Sequence, residues 1–356
     1  MSAGATRASV VDDARTPPAG WYERAVALPG GHAMQSATWG SYRAGQGFEP
    51  HYLTFADDHV ALALLRRSAG LPGVEASVRR GPAHAGEPAE LAAARAGALA
   101  AWAADHGARD LYLDPERPAD PEYAAAMRAL GFRETAGLDP SIHVMRLDFA
   151  PGTDAAAVRA GFSKSTRQRI SAASRGGTTV GEDPAGEHLE AFAALMRERA
   201  EVVGMQLQQG TDYLRGWRAL LADGLAKLLV AMHEGELVGA LYLYDHGGIW
   251  ATVYSADRSS RRRDLPGTMH LVRATAIERA LAAGRDAIEL GGVDLPGHRT
   301  PPRPGDPNRG LYEHKRGFGA RWVEREPARR IVLRPGAERL ARARRRAIDV
   351  LRGMRR

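Results

Sequence analysis

The strongest constraint on the fold is an order of secondary-structure elements that occurs twice along the 356 residues. Over residues 51–147, apolar alternation and turn residues predict a hairpin, a strand, a helix, a strand, a helix and a strand. The same order recurs over residues 228–324. Between the two series lie predicted helices at 156–175, 187–203 and 212–223. The recurrence predicts two units of one topology, although no sequence repeat is visible by eye.

This element order resembles that of the GNAT acyltransferase fold. The predicted fold class is therefore α/β with mixed sheets, in two tandem GNAT-like acyltransferase domains. The predicted boundaries are a disordered leader at 1–20, a first domain at 21–150 that residues 321–356 complete, a second domain at 151–320, and a basic C-terminal helix at 337–356. A loop at 294–310 contains five prolines and is long enough to be functional.

Composition excludes several classes of site. The chain has no cysteine, and its 12 histidines show no HExxH spacing, so we expect no metal. Neither a GxxxxGK[ST] nor a GxGxxG loop occurs, which predicts no nucleotide cofactor of those kinds, and we expect no cofactor at all. Apolar runs are too short to span a membrane and the N-terminus lacks a secretory pattern, so we expect a cytoplasmic enzyme.

The net charge of +7 is concentrated near the C-terminus. Residues 321–356 hold 13 arginines and four acidic residues. A basic segment of this kind indicates an anionic partner, either RNA or the inner face of an anionic membrane, unless it is only a solvated Arg-rich helix.

Lys315 is conspicuous because the chain has 46 arginines and only three lysines. A lysine ammonium is a compact charge that responds to burial, which the planar arginine fork cannot imitate. Lys315 is followed by Gly-Phe-Gly and a β-like run. It is therefore a candidate catalytic residue, with a solvated surface lysine as the alternative.

Several stretches together resemble the FemABX family of aminoacyl-tRNA-dependent peptidyltransferases. The resemblance covers roughly residues 30–325 and rests on the order and spacing of short motifs. These are Gln35-Ser36 with Trp39 and Arg43, Gly81-Pro82, Leu113-Asp114-Pro115, Lys164 with Arg167, Ile170, Ala173 and Gly177, Tyr213, Gly291-Gly292, and Leu311-Tyr312 with Lys315, Gly317, Phe318 and Gly319.

The resemblance implies transfer of an amino acid from aminoacyl-tRNA to an amine of a UDP-linked or lipid-linked muropeptide precursor, as in peptidoglycan cross-bridge formation. The candidate substrate contacts at the matched positions are Gln35, Trp39, Arg43, Arg167, Tyr213, Gly291, Gly292 and Tyr312. Tyr254 lies outside the matched motifs and is a further candidate to orient the substrate.

The family pattern places Lys315 at the catalytic region, with His314 beside it as a second candidate catalytic residue. Glu289 and Asp294 flank Gly291-Gly292 and are the nearest acids available as a base, whereas the resemblance implies substrate-assisted proton transfer without a dedicated protein base.

Three departures from the family pattern stand out. Arg43 occupies the position of the family's lysine, and His314 that of its phenylalanine. Where other members insert a long helical arm, this chain has none. If protonated, His314 would repel the Lys315 ammonium, which predicts a pH dependence that His314→Phe lacks.

Structural explanations compete with the proposed contacts. Trp39 can be a core residue, since aromatic residues at helical spacing usually are. Tyr213 can equally be packing. Gly291-Gly292 can be a simple turn, and Arg167 can lie on a solvated helix face.

Three other functions remain open. A GNAT-type acyl-CoA N-acyltransferase would need a pyrophosphate loop of the form [RQ]-x-x-G-x-[GA], and residues 261–268 miss its spacing. A tRNA-dependent aminoacyltransferase could instead modify a natural-product amine. A non-enzymatic RNA- or membrane-binding module would explain the basic segment but not Lys315.

Overall fold

The computed structural model describes residues 7–67, 70, 72–83, 86–136, 143–203, 213–293 and 298–353. Its contacts divide the chain into two compact units. The first comprises Met1–Leu138 and Arg325–Arg356, and the second comprises Asp139–Glu324. The second unit is therefore a continuous segment inserted into the sequence of the first.

The first unit contains a seven-stranded sheet. Its strands are β1 Val10–Ala14, β2 Phe48–Phe55, β3 Val60–Arg67, β4 Val74–Arg79, β5 Ala108–Asp114, β6 Arg133–Glu134 and β14 Arg329–Val332. They lie in the order β1-β2-β3-β4-β5-β14-β6. The pair β4–β5 is parallel and the other neighbours are antiparallel.

Four α-helices lie in the described residues of the first unit, and the second of them buries an alanine-rich face against this sheet. They are α1 Ala37–Ala44, α2 Ala89–Asp105, α3 Pro121–Ala129 and α10 Pro335–Gly353. In α2, Ala96, Leu99 and Ala103 join the core, because small residues at helical spacing let the helix approach the sheet closely. The Asp120 carboxylate caps α3 by accepting from the backbone of Glu122 and Tyr123.

The second unit also contains a seven-stranded sheet. Its strands are β7 Val144–Asp148, β8 Thr179–Glu182, β9 Ala226–His233, β10 Glu236–His246, β11 Ile249–Asp257, β12 Ala287–Glu289 and β13 Arg321–Val323. They lie in the order β13-β7-β12-β11-β10-β9-β8. Here β11–β12 is the parallel pair.

Helices of the second unit are α4 Ala155–Ala160, α5 Lys164–Arg175, α6 Leu189–Val203, α7 Tyr213–Ala222, α8 Thr268–Ala282 and α9 Arg309–Arg316. The single helix predicted at 156–175 is wrong, since α4 ends before Gly161 and α5 begins after Ser163. The Ser163 hydroxyl accepts from the Thr166 backbone and caps the second helix, so a new helix begins there.

The two sheets share one pattern of pairing. Followed from β1 in the first sheet and from β8 in the second, each sheet has three antiparallel strand pairs and then one parallel pair. In each, a strand from a distant part of the sequence then lies between the next two strands: β14 between β5 and β6, and β7 between β12 and β13. The predicted duplication of topology in two mixed α/β sheets is confirmed.

The predicted disordered leader at 1–20 is wrong for Val10–Ala14, which pairs with β2 as an edge strand. The strand predicted near 143–147 belongs to the second unit, because β7 completes the second sheet beside β12 and β13. Residues 321–323 also stay in that sheet, and the return to the first sheet is made by β14.

No helical arm interrupts the described helices of the second unit, and only residues 204–212 separate α6 from α7 in the sequence. Within the described part of the chain, no helix is long and apolar enough to span a membrane.

Candidate functional site

Lys315 lies in the last turn of α9 with its side chain directed into the second unit. The residue is only 3% exposed, and its Nζ donates a hydrogen bond to the Gly292 carbonyl at 2.7 Å. The alternative of a solvated surface lysine is therefore wrong. An ammonium buried in this way has lost most of its hydration and favours an anionic or strongly dipolar neighbour.

Gly291 allows this approach. Its φ is +80°, a conformation that L side chains rarely adopt, and a Cβ there would lie 3.4 Å from the Lys315 Nζ and 3.3 Å from the Thr252 carbonyl oxygen. The turn after β12 thus brings backbone carbonyls to the ammonium. Gly291 and Gly292 are more than a simple turn, since the pair shapes the surroundings of Lys315.

His314 belongs to a buried chain of hydrogen bonds rather than to the surface. The Arg273 Nε donates to His314 Nε2 at 3.1 Å. His314 must then carry its proton on Nδ1, which lies 3.1 Å from His270 Nε2 and donates to it. These hydrogen bonds connect three side chains of α8 and α9 and fix the tautomer of His314.

Burial keeps both imidazoles neutral. Loss of solvation, followed by the charges of Arg273, His270 and Lys315, lowers the pKa of His314 to about 2. Burial together with Arg169 and Arg273 lowers the pKa of His270 to about 4. The predicted repulsion between a protonated His314 and Lys315 is wrong, because the imidazole carries no charge at ordinary pH.

Arg273 is a residue that the sequence did not reveal. It is 3% exposed and donates to His314, to the Leu290 carbonyl at 3.4 Å and to the Ser255 hydroxyl at 3.2 Å. Burial lowers its pKa to about 10, so it remains a cation. The only available signal was an arginine inside an apolar helical stretch, Val272–Ile277, and it is one of 46.

Of the two candidate bases, only Glu289 lies among the described residues. Glu289 lies on β12 with 2% exposure, and Arg146 Nη1 contacts its carboxylate at 3.4 Å. Asp294 lies outside the described residues.

Tyr213 and Tyr254 are brought together by Trp217, which sequence reasoning missed. The Trp217 ring centroid lies 5.0 Å from that of Tyr213 and 4.9 Å from that of Tyr254. Phe192 and Tyr242 stack on the same indole, at 5.3 Å and 5.2 Å. Both tyrosines retain partial exposure, so the cluster is a packed wall with two hydroxyl-bearing rings at its margin.

Tyr312 and Arg167 make mostly local contacts. Tyr312 packs partly on the core of the second unit, and the guanidinium groups of Arg309 and Arg316 lie 5.0 Å and 5.8 Å from its ring centroid. Arg167 is exposed, and its Nη1 donates to the carbonyls of Ala160 and Phe162. This arginine therefore fastens the turn between α4 and α5.

Gln35, in the first unit, is structural. It is 1% exposed, its Nε2 donates to the Arg79 carbonyl at 2.7 Å, and its Oε1 accepts from the Leu62 backbone at 2.8 Å. A Cβ on Gly81 would clash with this amide at 2.4 Å. The prediction of a substrate contact at Gln35 is wrong, since both ends of the amide hold backbone.

Arg43 and Trp39 fit a binding surface better. The Arg43 guanidinium lies 3.9 Å from the Phe48 ring centroid and 5.7 Å from that of Trp39. Burial, with Arg79 and Arg66 nearby, lowers the pKa of Arg43 to about 10, although Tyr42 raises it. Arg43 Nη1 donates to Gln46 Oε1 at 2.8 Å, whereas Arg43 Nε and Trp39 Nε1 are buried and have no hydrogen-bond partner within the described chain.

The segment between β11 and α8 is where a GNAT-type pyrophosphate loop would lie. Two of its four arginines are held in close ion pairs: Arg258 with Glu236 at 2.7 Å, and Arg262 with Asp257 at 2.5 Å. Its one glycine, Gly267, packs against Arg169, whose carbonyl oxygen lies 2.2 Å from the position of a Cβ. Arg258 and Arg262 are therefore occupied by acidic partners, and the segment has no row of glycines whose backbone could approach an anion.

Comparison with known proteins identifies the architecture. Residues 161–316 match the family described as Acetyltransferase (GNAT) domain. In fold the chain is similar to FemX, with a TM-score of 0.76 at 18% identity over 93% of this chain and 99% of FemX. It is also similar to the C-terminal domain of a proposed lysylphosphatidylglycerol synthetase from Agrobacterium fabrum, with a TM-score of 0.50 at 14% identity over 85% and 88% of the two chains.

No curated protein sequence matches the chain. The predicted FemABX-like fold with tandem GNAT-like units is confirmed. The domain match and the fold together support an acyltransferase.

Proposed function

We propose that the protein is an aminoacyltransferase that moves an amino acid from aminoacyl-tRNA to an amine of a peptidoglycan precursor. The buried Lys315 ammonium beside the Gly291-Gly292 turn carries the proposal. The fold similarity to FemX and the FemABX-like motifs around Lys315 support it. The coarser class, an acyltransferase, has the additional support of the GNAT domain match.

The proposed reaction needs positioning more than activation, because the tRNA ester is already activated. The acceptor nitrogen attacks the ester carbonyl carbon and forms the new C–N bond. The bond between that carbon and the ribose oxygen breaks, and the proton lost by the amine is transferred to the ribose oxygen. Holding both substrates in register supplies up to ~7–11 kcal/mol of barrier reduction.

Lys315 is the proposed donor to the developing oxyanion or to the terminal tRNA phosphate. One well-placed donor to an oxyanion contributes ~2.7–4 kcal/mol. Its hydrogen bond to the Gly292 carbonyl fixes the position of the ammonium, and His314 adds no competing charge.

Arg43 is the proposed anchor for the acceptor's phosphate groups. Its forked donors suit a phosphate, and its Nε has no hydrogen-bond partner among the described residues. Trp39 offers an indole N–H beside it. In the second unit, Tyr213, Tyr254 and Tyr312 are the proposed contacts that orient substrate, while Glu289 is a weaker candidate for the base because an arginine contacts it.

Acyl-CoA N-acetylation is the second candidate, favoured by the match to the Acetyltransferase (GNAT) domain. The occupied arginines between β11 and α8 weigh against it. Transfer from tRNA to a natural-product amine shares the donor chemistry and differs only in the acceptor.

One assay distinguishes these functions. The protein is incubated with radiolabelled aminoacyl-tRNA or labelled acetyl-CoA, each with a UDP-linked or a lipid-linked muropeptide. Labelled muropeptide from the tRNA donor supports the proposal, and the acceptor that is labelled identifies its form. Label transferred only from acetyl-CoA would reject the tRNA donor. Label transferred from tRNA only to a simple amine would reject the peptidoglycan acceptor.

A further inference from the structure

Two imidazoles and a carboxylate meet at one edge of the first sheet. Asp13 lies on β1, His51 on β2, and His106 directly after α2. One possible ligand atom from each lies within 4.8 Å of the other two. Across the described ranges, no other group of three such side chains meets this geometry.

The distances suit a small cation. The Asp13 Oδ1 lies 2.8 Å from His51 Nδ1, and its Oδ2 lies 3.1 Å from His106 Nε2. Ligand atoms around a tetrahedral zinc are about 3.4 Å apart, given metal–ligand bonds of about 2.1 Å. The two contacts of Asp13 would lengthen by a few tenths of an ångström around a metal ion, and all three ligand atoms already lie within 4.8 Å of one another.

His106 is oriented as a metal ligand should be. Its Nδ1 lies 2.8 Å from the Trp102 carbonyl oxygen, which can only accept, so Nδ1 carries a proton. Its other ring nitrogen, Nε2, faces the Asp13 carboxylate at 3.1 Å. Contact at this distance calls for a proton or a metal ion between the nitrogen and the carboxylate oxygen.

The surroundings of Asp13 complete the arrangement. The Trp102 Nε1 donates to Asp13 Oδ2 at 3.0 Å. Metal sites characteristically have such a second layer, in which ligating histidines donate to a carbonyl and ligating carboxylates accept hydrogen bonds. The side chains of His106 and Asp13 are 34% and 24% exposed, which gives solvent access.

We propose that Asp13, His51 and His106 bind one zinc ion, with water in the fourth position. Two imidazoles and a carboxylate are ligands that zinc readily accepts. The ion would connect the edge strand β1 to β2 and to the end of α2. The site belongs to the first unit and does not depend on the proposed transferase function.

Arg15 and Glu49 should affect zinc binding in opposite directions. Arg15 Nη1 lies 2.8 Å from His51 Nε2 and donates to it, which leaves the ring proton on Nδ1, facing Asp13. Zinc at Nδ1 requires that proton to move to Nε2, and Glu49 Oε1, now 4.0 Å from Nε2, would have to come closer to accept it. The side chains of Arg15 and Glu49 are 57% and 51% exposed and form an ion pair with each other at 2.5 Å, so both would have to turn when zinc binds. Arg15 thus opposes zinc and Glu49 favours it.

The test is a titration of the full chain with Zn²⁺ alone against a chromophoric chelator, together with thermal unfolding. We expect one zinc per chain and a higher Tm with zinc. His106→Phe keeps the ring against Trp102 and should weaken zinc binding by more than the ~10–100-fold typical of outer-layer changes. His188→Phe is the control, since His188 forms a pair with Asp183 at 3.0 Å in the second unit and should bind zinc as the wild type does.

Two surface variants test the mechanism without disturbing the core. Arg15→Gln should tighten zinc binding, and Glu49→Gln should weaken it by ~10–100-fold. Absence of stoichiometric zinc binding in the wild type would overturn the proposal. So would equal affinity in the wild type and His106→Phe, or, if His106→Phe does not fold, equal affinity in Arg15→Gln and Glu49→Gln.

Discussion

At the scale of single residues, Lys315 combines rarity in the sequence with burial in the structure. If its ammonium stabilises charge that develops only in the transition state, Lys315→Ala should lower kcat and kcat/KM together. The expected loss is ~10²–10³-fold, as for one oxyanion donor. Lys315→Arg should restore activity only in part, since a planar fork cannot occupy the same point beside Gly292.

Lys227→Ala is the matched control, because Lys227 is 27% exposed on β9 and lies 3.8 Å from Glu182. Both variants should unfold cooperatively, which circular dichroism would check. Near wild-type turnover of aminoacyl-tRNA by a folded Lys315→Ala would remove Lys315 from the site.

Arg43 should act on acceptor binding rather than on chemistry. Its guanidinium stands against Phe48 before any substrate is present, so its contact would be equally strong in the ground and transition states. We expect Arg43→Ala to raise the acceptor KM more than it lowers kcat. An unchanged KM for the muropeptide in steady-state kinetics would contradict this assignment.

The buried histidines predict how stability depends on pH. The pKa of His314 falls from 6.5 when unfolded to about 2 when folded, and that of His270 to about 4. Below about pH 6.5 the unfolded state binds protons on these two imidazoles that the folded state does not bind. The free energy of unfolding is therefore highest above about pH 6.5. It declines as the pH falls through the folded pKa values.

His314→Phe should reduce the acid-side slope by one proton, or ~1.4 kcal/mol per pH unit. Denaturant unfolding between pH 7 and pH 4 measures it, and His298→Phe, at an exposed position, should keep the wild-type slope. A His314→Phe slope equal to that of the wild type would show that His314 is protonated in the folded state. Activity above pH 6.5 should not depend on His314 ionisation.

At the scale of elements, α8 and α9 are joined to the end of β12 through one guanidinium. Arg273 donates to His314, Leu290 and Ser255 from three nitrogens of a planar guanidinium, a geometry that the single nitrogen of a lysine does not reproduce. Arg273→Lys should lower the free energy of unfolding by about 1.5–3 kcal/mol, the value of one hydrogen bond to a charged group.

Arg279→Lys on the same helix is the comparison. Its ion pair with Glu182 at 3.0 Å is 38% exposed on the arginine side, so the change should cost less than about 1 kcal/mol. Equal destabilisation of the two variants in urea would mean that Arg273 does not hold these elements together.

Most helices and strands could be predicted from the sequence. Those whose position depends on contacts with other residues could not. Periodicity located the β2–β3 and β9–β10 hairpins because alternation is a local signal. The break between α4 and α5 depends on Ser163 accepting from the Thr166 backbone, which competes with a continuous helical pattern. β1 was missed because its pairing partner, β2, lies well beyond it in the sequence.

The site shows the same limit. The rarity of Lys315 is visible in composition, whereas Arg273 is one arginine among 46. Gln35 resembled a substrate contact because a motif records which residue stands at a position and not which backbone groups it holds. Asp13, His51 and His106 have no recognisable spacing, since β1, β2 and α2 bring them together only in the folded sheet.

At the scale of the molecule, the net charge of +7 predicts salt-sensitive binding of aminoacyl-tRNA. Affinity should fall linearly in a plot of log K against log salt. If α10 contributes, the double variant Arg339→Gln/Arg342→Gln, at exposed positions, should reduce the slope by ~0.7–0.9 per lost phosphate contact. Filter binding at several salt concentrations measures it.

An unchanged slope in that variant would show that α10 does not contact tRNA. Sedimentation with anionic vesicles would then test the membrane surface as the partner of the basic helix. Neutral vesicles provide the control for charge.

The place of β14 between β5 and β6 has a consequence for synthesis on the ribosome. The second sheet has all its strands once residue 323 has emerged, but the first lacks β14 until residues 329–332 follow. At ~5–20 residues per second, translation of Asp139–Glu324 leaves the nascent β5 without that neighbour for roughly 10–40 s. The open edge carries Asp110, which later pairs with Arg330, and a charge on an unpaired edge discourages the wrong strand from adding to it.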